Sequence, residues 1–318
     1  MKKIFFIFYC YISFAQTVSL INPYKDIKWE NVKRCRINLH THTDQSDGKF
    51  KPEEVISLYK KKGYSAISIT DHNKFVFIKE KEIILIQGIE LGKKQHHILA
   101  YFNFKIPENL ENLDEEEIIK NVSDKNGFSV FAHPGRYERS ISFYVNLFKK
   151  YPNLIGIEVL NPSVQIKKGK IYGDTDIWDE ILKNMMPDRP VWGFGNDDFH
   201  DITQFSINWN EFLLEKFDRE EIKKAMKNGK FYICSAIKGY NMPYLKKILV
   251  NEKNGEIEIK CKNYKEIKWI SNGKIIGYGE MINYKKNPEI EKYIRVEIYG
   301  EKGYIYLNPF GIKGVKNE

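Results

Sequence analysis

The sequence predicts an α/β fold with largely parallel strands, followed by a small antiparallel β domain. From about residue 34 to 235, short apolar runs alternate with helical patterns. Beyond about residue 240 the pattern changes to strict alternation of charged and apolar residues with hairpin signals. All seven histidines of the 318-residue chain fall in five clusters that interrupt or end the apolar runs of the first part. These are His40-Thr41-His42, Asp71-His72, His96-His97, His133-Pro134 and Asp198-Phe199-His200.

Arg34 to Leu39 reads as a strand with Cys35, Ile37 and Leu39 on one face, Asn38 and His40 on the other. Pro52, with Glu53 and Glu54 in the first turn, opens a helix that carries Val55, Ile56 and Leu58 and stops at Gly63. Ala66 to Thr70, Ile83 to Ile89 and Ile98 to Phe102 follow as strands. The acidic stretch 111–117 starts a helix, Phe128 to Ala132 is a strand, Ile141 to Lys150 a helix and Ile155 to Leu160 a strand. Ile177 to Met186 is a helix and Val191 to Gly195 a strand. In the C-terminal part, 256–262 and 293–298 alternate as strands, and Asn272-Gly273 is the favoured two-residue hairpin turn between Lys268–Ser271 and Lys274–Ile276. That part holds no histidine, which assigns it to support or to binding a protein partner.

Lys2 and Lys3, the apolar stretch Ile4 to Ile12, and the small residues Ser13 and Ala15 have the layout of a signal peptide cut before Gln16. The stretch is too short to span a bilayer, which takes about 20 apolar residues. The expected organisation is therefore a signal peptide over 1–15, a linker over 16–33, an α/β domain over 34–237 and a β domain over 238–318. Export to the periplasm or the cell exterior follows, with no integral membrane segment after cleavage. The net charge of +9 rests mostly on scattered lysines. Nucleic acid is a conceivable partner, but no tract mixes aromatic and basic residues as a single-strand platform does. Cys35, Cys234 and Cys261 are too few and too widely spaced for a disulfide framework or a cysteine zinc site.

Active-site groups of parallel α/β proteins collect at the carboxyl ends of strands. His40, His72, His133 and His200 each stand at or just past such an end, and Glu90 ends the run from Ile83. Imidazole and carboxylate together bind manganese, zinc or iron. On a strand, His40 and His42 face the same way, as do Asp198 and His200. No glycine-rich phosphate loop, dinucleotide fingerprint or nucleophile-elbow serine occurs in the sequence.

In order, the series H-T-H, S-D-G, T-D-H, G-I-E, H-H-I-L, A-H-P-G-R and N-D-D-F-H resembles the polymerase and histidinol phosphatase (PHP) family of metal-dependent phosphoesterases, over roughly residues 36–235. The resemblance implies a distorted (β/α)7 barrel with two to three divalent ions. It implies His40, His42, Glu90 and Asp198 on the first ion, and Asp47, His72 and His200 on the second. Glu90, His133 and His97 would take the third. His97 is preferred to His96 because the family pattern is a histidine directly before Ile-Leu. Beyond the ligands, Arg136 is assigned to phosphate binding, and Asp71, with Asp197, either to orienting imidazoles or to the solvated loop. The implied activity is hydrolysis of phosphate esters of a small substrate, such as a nucleotide or sugar phosphate, by a metal-bridging hydroxide. A phosphodiesterase or exonuclease, and a noncatalytic metal-stabilised binding protein, are the alternatives.

Overall fold

The computed structural model describes residues 18–314. The expected signal peptide, 1–15, lies outside the described residues. In chain order the elements are β1 (Ser19–Ile21), β2 (Lys33–Asn38), α1 (Pro52–Lys61), β3 (Ala66–Ile67), β4 (Ile84–Leu85), β5 (Gly88–Leu91) and β6 (Ile98–Tyr101). Then come α2 (Glu115–Asp124), β7 (Phe128–Phe131), α3 (Ile141–Lys150), β8 (Leu154–Leu160), α4 (Pro162–Lys167), α5 (Thr175–Met185) and β9 (Trp192–Gly195). The remainder is β10 (Asn208–Leu214), α6 (Arg219–Asn228), β11 (Phe231–Ser235), β12 (Tyr244–Asn251), β13 (Glu256–Lys262), β14 (Glu266–Ser271), β15 (Lys274–Tyr278), β16 (Met281–Asn283), β17 (Tyr293–Tyr299), β18 (Tyr304–Leu307) and β19 (Phe310–Lys313).

A large sheet runs β1-β19-β17-β18-β11-β10-β2-β3-β4, with β14 and β15 added beside β17; a second runs β5-β6-β7-β8-β9, and a third β12-β13-β16. Among the described residues these ladders do not close the seven-stranded barrel implied by the resemblance. Among the described strands, the parallel ladders are β2-β3, β3-β4, β7-β8 and β8-β9. β5 and β6 are antiparallel because only residues 92–97 join them, whereas a parallel crossover needs about a dozen residues. The single strand expected over 83–89 breaks at Gln87, and its two halves enter different sheets. What spans the gaps between the sheets lies at the histidine end: single parallel bridges Thr41–Phe199 and His72–Glu90.

The interior between the two larger sheets is filled by Ile37, Leu39, Leu99, Val130, Ile155, Phe194 and Phe212. The outer face of the five-stranded sheet is covered by α2, α3 and α5 through Ile118, Val122, Phe148, Trp178 and Leu182, whose spacing is the helical apolar stripe. α2 starts later than the acid run suggested, because Asp114 caps it by accepting from the Glu117 backbone.

The C-terminal strands continue the large sheet: β18 pairs with β11 from Tyr232–Leu307 to Ser235–Tyr304. The stretch expected as a linker also joins it, since β1 pairs with β19. Asn272 and Gly273 both have positive φ (50° and 70°), the conformation that a two-residue hairpin turn between β14 and β15 requires. Among the described residues no helix is long and apolar enough to cross a membrane.

Candidate metal centre

Each histidine cluster reaches the same rim by a local device. Past β2 the chain stays extended, and the Thr41 hydroxyl donates to the Ser68 carbonyl (2.7 Å), which turns His40 and His42 inward. Gly48 sits so close to the chain at His42 that a Cβ there would lie 2.6 Å from the His42 carbonyl; this close return brings Asp47 back over His42. His97 stands at the start of its strand rather than the end, yet joins the others because β6 runs antiparallel to β5 and β7. His133 follows β7 with φ of 31°, and Asp198 follows β9 with φ of 47°, left-handed turns that cost L-residues energy and hold both side chains at the rim.

The tightest group is His40, His42, Glu90 and Asp198, all buried. His40 Nε2 lies 3.0 Å from His42 Nε2, 3.1 Å from Glu90 Oε2 and 3.2 Å from Asp198 Oδ1. His42 Nε2 lies 3.1 Å from Glu90 Oε2 and 3.2 Å from Asp198 Oδ1. Donors at the corners of a tetrahedron around an ion with bonds of about 2.0 Å are about 3.3 Å apart, so these separations fit a cation. Glu90 Oε2 is buried with no hydrogen-bond partner of acceptable geometry, which fits the same conclusion.

A second group is His42, Asp47, His72 and His200. His200 Nε2 is 3.2 Å and His72 Nε2 3.6 Å from Asp47 Oδ2. A neutral imidazole has one lone pair. With His42 Nε2 committed to the buried quartet, Asp47, His72 and His200 remain for a second ion. In the third group, His72, Glu90 and His97, the bond from His97 Nδ1 to Glu90 Oε1 is 2.9 Å. His133 Nε2 meets the same Glu90 oxygen at 3.1 Å, while its buried Nδ1 has no partner. Glu90 is thus shared between the groups. His96 turns the other way, stacked on Tyr137 with Nε2 3.2 Å from the Tyr144 hydroxyl.

The carboxylates set the electrostatics. Burial alone would lift the Glu90 carboxyl, but His40, His133 and His42 hold it well below the usual range. Burial opposes a charge on His42, yet the adjacent Asp198 and Glu90 carboxylates raise it to about 9; His40 is likewise raised by Asp198, Glu90 and Glu158. His72 goes the other way, to about 4, through burial and the neighbouring His42 and His97. Buried negative charge therefore draws protons onto imidazoles that would otherwise be ligands, and a divalent ion would replace those protons.

Two expected roles change. Asp71 contacts no imidazole: it accepts from the Thr43 amide (2.7 Å), the Thr43 hydroxyl (2.6 Å) and Ser46 Oγ (2.6 Å), and so holds the loop leading to Asp47. Asp197 accepts from the Tyr59 hydroxyl and from the amides of Ser206, Ile207 and Asn208, and so shapes the entry to β10. The orienting carboxylate is Glu158, which the sequence reading passed over. It accepts from His40 Nδ1, Asn196 Nδ2, the His133 amide and Asn161 Nδ2. A carboxylate inside a strand with every residue buried was the available signal, because a buried charge must be paired. Asn161 also donates to Asp198 Oδ2 (3.2 Å).

Through Asp47, His72, Asp198 and His200 the groups reach a cleft of about 410 Å³, which Pro162, Ser163, Ile166 and Lys167 also line. Arg136 lines it too, exposed, with Nη1 3.4 Å from His133 Nε2.

An α/β chain whose strand ends bring overlapping histidine–carboxylate groups to one cleft has the build of a metal-binding protein. Residues 38–159 match the PHP domain family. The chain is similar to an uncharacterized protein of Methanocaldococcus jannaschii, 29% identical over 118 residues, which are 31% of this chain and 67% of that one. Its fold is shared with a two-domain protein of Bacteroides vulgatus described as containing a predicted PHP-like metal-dependent phosphoesterase. That likeness has a TM-score of 0.54 at 15% identity, covering 92% of this chain and 90% of the other.

Proposed function

We propose that the chain is a metal-dependent phosphoesterase acting on a small phosphorylated substrate. The observation that carries this is the buried quartet, in which the His40 and His42 Nε2 atoms lie 3.0–3.2 Å from each other and from Glu90 Oε2 and Asp198 Oδ1, and whose Asp198 lines a cleft that also holds Arg136. His40, His42, Glu90 and Asp198 would hold one divalent ion, Asp47, His72 and His200 a second, and Glu90 with His97 and His133 a third. Manganese, zinc or iron all suit this donor set. Such ions, when bound, supply a water nucleophile at neutral pH and neutralise phosphoryl oxygens.

The chain's own residues do the rest. Glu158 keeps a proton on His40 Nδ1, so Nε2 presents its lone pair to the quartet. The Arg136 guanidinium, exposed in the cleft, takes phosphoryl oxygens as a forked donor, and Lys167 adds positive charge to the same lining. A cleft of about 410 Å³ suits a small ligand better than a polymer.

The test is metal content by mass spectrometry on protein purified without chelator, together with phosphate release from a panel of phosphomonoesters and diesters. Two to three ions per chain with turnover of one class supports the reading. Metal without turnover points to a noncatalytic binding protein, diester preference to a phosphodiesterase, and no metal after reconstitution overturns the proposal. We propose also that the chain is exported, from its Lys2-Lys3, apolar Ile4–Ile12 and Ala15 pattern. Protein made in its native cell should begin at Gln16, and an intact Met1 would refute export.

A further inference from the structure

One wall of the cleft is α4, Pro162–Lys167, which supplies Pro162, Ser163, Ile166 and Lys167. A helix this short has little stability of its own. At its start Asn161 caps it, accepting from the Ser163 amide at 2.8 Å. Its back face is held from far along the chain. Gln165, 1% exposed, donates from Nε2 to the Tyr304 hydroxyl (2.9 Å) and to the Ile171 carbonyl (3.0 Å), and its Oε1 accepts from Asn208 Nδ2 (2.7 Å). The Tyr304 hydroxyl in turn donates to the Ile171 carbonyl (2.5 Å), and the Tyr306 hydroxyl reaches the Tyr172 carbonyl (3.3 Å). Both tyrosines lie on β18, locked between β11 and β17.

We infer that Tyr304 is a positioning residue for the substrate cleft, acting through Gln165 and Ile171 to fix the 162–172 wall. The C-terminal strands thereby belong to the substrate site, although none of their residues lines it. The inference rests on the phosphoesterase reading only in taking the cleft as the substrate's seat. His40 is held by Glu158, and Asp198 by Asn161, whose own bonds to Glu158 and the Ser163 amide do not involve Gln165 or Tyr304, so removing the Tyr304 hydroxyl leaves the metal ligands in place.

The test compares full-length, metal-loaded wild type with Tyr304→Phe and with Tyr293→Phe. Tyr293→Phe is the control, because it removes a C-terminal tyrosine hydroxyl bonded to Asp179 (2.7 Å), away from the cleft. For the phosphoester that wild type turns over best, Tyr304→Phe should raise KM on the order of fivefold, the scale of one hydrogen bond, with kcat within about twofold. Metal content should not change, and Tyr293→Phe should leave KM alone. Adding Tyr304→Phe to Gln165→Met should raise KM no further. Hydrogen exchange over residues 162–172, which needs no substrate, should quicken in Tyr304→Phe and not in Tyr293→Phe. Equal KM or equal exchange in the two variants overturns the inference, as does a loss of metal that tracks the loss of activity. If wild type turns over no ester, the phosphoesterase reading falls, and the exchange comparison still decides whether Tyr304 fixes the wall.

Discussion

His40 Nδ1 lies 3.0 Å from Glu158 Oε1, and neither side chain has any surface exposed to solvent. A carboxylate only accepts, so a proton stays on Nδ1 and Nε2 is the nitrogen left to offer its lone pair to a cation in the quartet. Asn196, the His133 amide and Asn161 also donate to Glu158, so a glutamine there would set an amide NH2 against N–H groups. Glu158→Gln is expected to weaken metal binding about 10- to 100-fold, measured by competition with a chelator. Unchanged affinity would mean that another group orients His40.

Arg136 is reached through a short 3-10 turn, Pro134–Arg136, where the Gly135 amide donates to Asp174 Oδ2 (2.7 Å). A Cβ on Gly135 would lie 2.2 Å from that carboxylate, so the close packing of the turn aims Arg136 at the cleft. Because Arg136 belongs to none of the three donor groups, Arg136→Ala should raise KM for the phosphoester about tenfold while metal content stays at the wild-type value. Steady-state kinetics with parallel metal analysis reads both. An unaltered KM would return Arg136 to an ordinary surface role.

The raised His42 has a consequence for metal-free protein. Its folded value of about 9 exceeds the ordinary 6.5, so between these pH values the folded chain binds more protons than the unfolded one. Its contribution, on the order of 3 kcal/mol, is full below pH 6.5 and is lost as pH rises through about 9. His72, depressed to about 4, acts oppositely: stability is full above 6.5 and falls as pH drops toward 4. Calorimetry of chelated protein should therefore show Tm falling between pH 6.5 and 9, and metal-loaded protein should lack that fall. A flat curve for chelated protein would show that His42 carries no proton there.

The histidine-bearing ends were legible because apolar runs and helical stripes follow periodicity, and Ile141–Lys150 and 256–262 appear in the fold with the bounds that the pattern suggested. Strand direction was less legible. The antiparallel course of β6 is set by the short 92–97 connection and places His97 at the same rim as its neighbours. The sheet shared by β11 and β18 was invisible because pairing between strands so far apart in sequence leaves no periodic trace. Among side chains, those that the sequence writes in clusters come together in the fold, whereas Glu158, alone inside a strand, carried no such signal.

Arg295 on β17 joins the C-terminal strands to α5 through a buried ion network. Its Nε and Nη2 donate to the two oxygens of Asp179 (2.7 and 2.6 Å), and its Nη1 to Glu297 Oε1 (2.5 Å). The Tyr293 and Tyr299 hydroxyls donate to the same two carboxylates. Only 3% of Arg295 is exposed, so Arg295→Met would leave two buried carboxylates without their cation, at a cost of about 3–5 kcal/mol. Replacing the whole network, Arg295→Met with Asp179→Leu and Glu297→Leu, removes the charges together and should recover most of that loss, because each buried ion pays a desolvation penalty that pairing only offsets. Denaturant unfolding of the single and triple variants separates the two. If the single variant unfolds at the wild-type midpoint, the carboxylates are not held as buried anions and the clasp between α5 and β17 rests on packing alone.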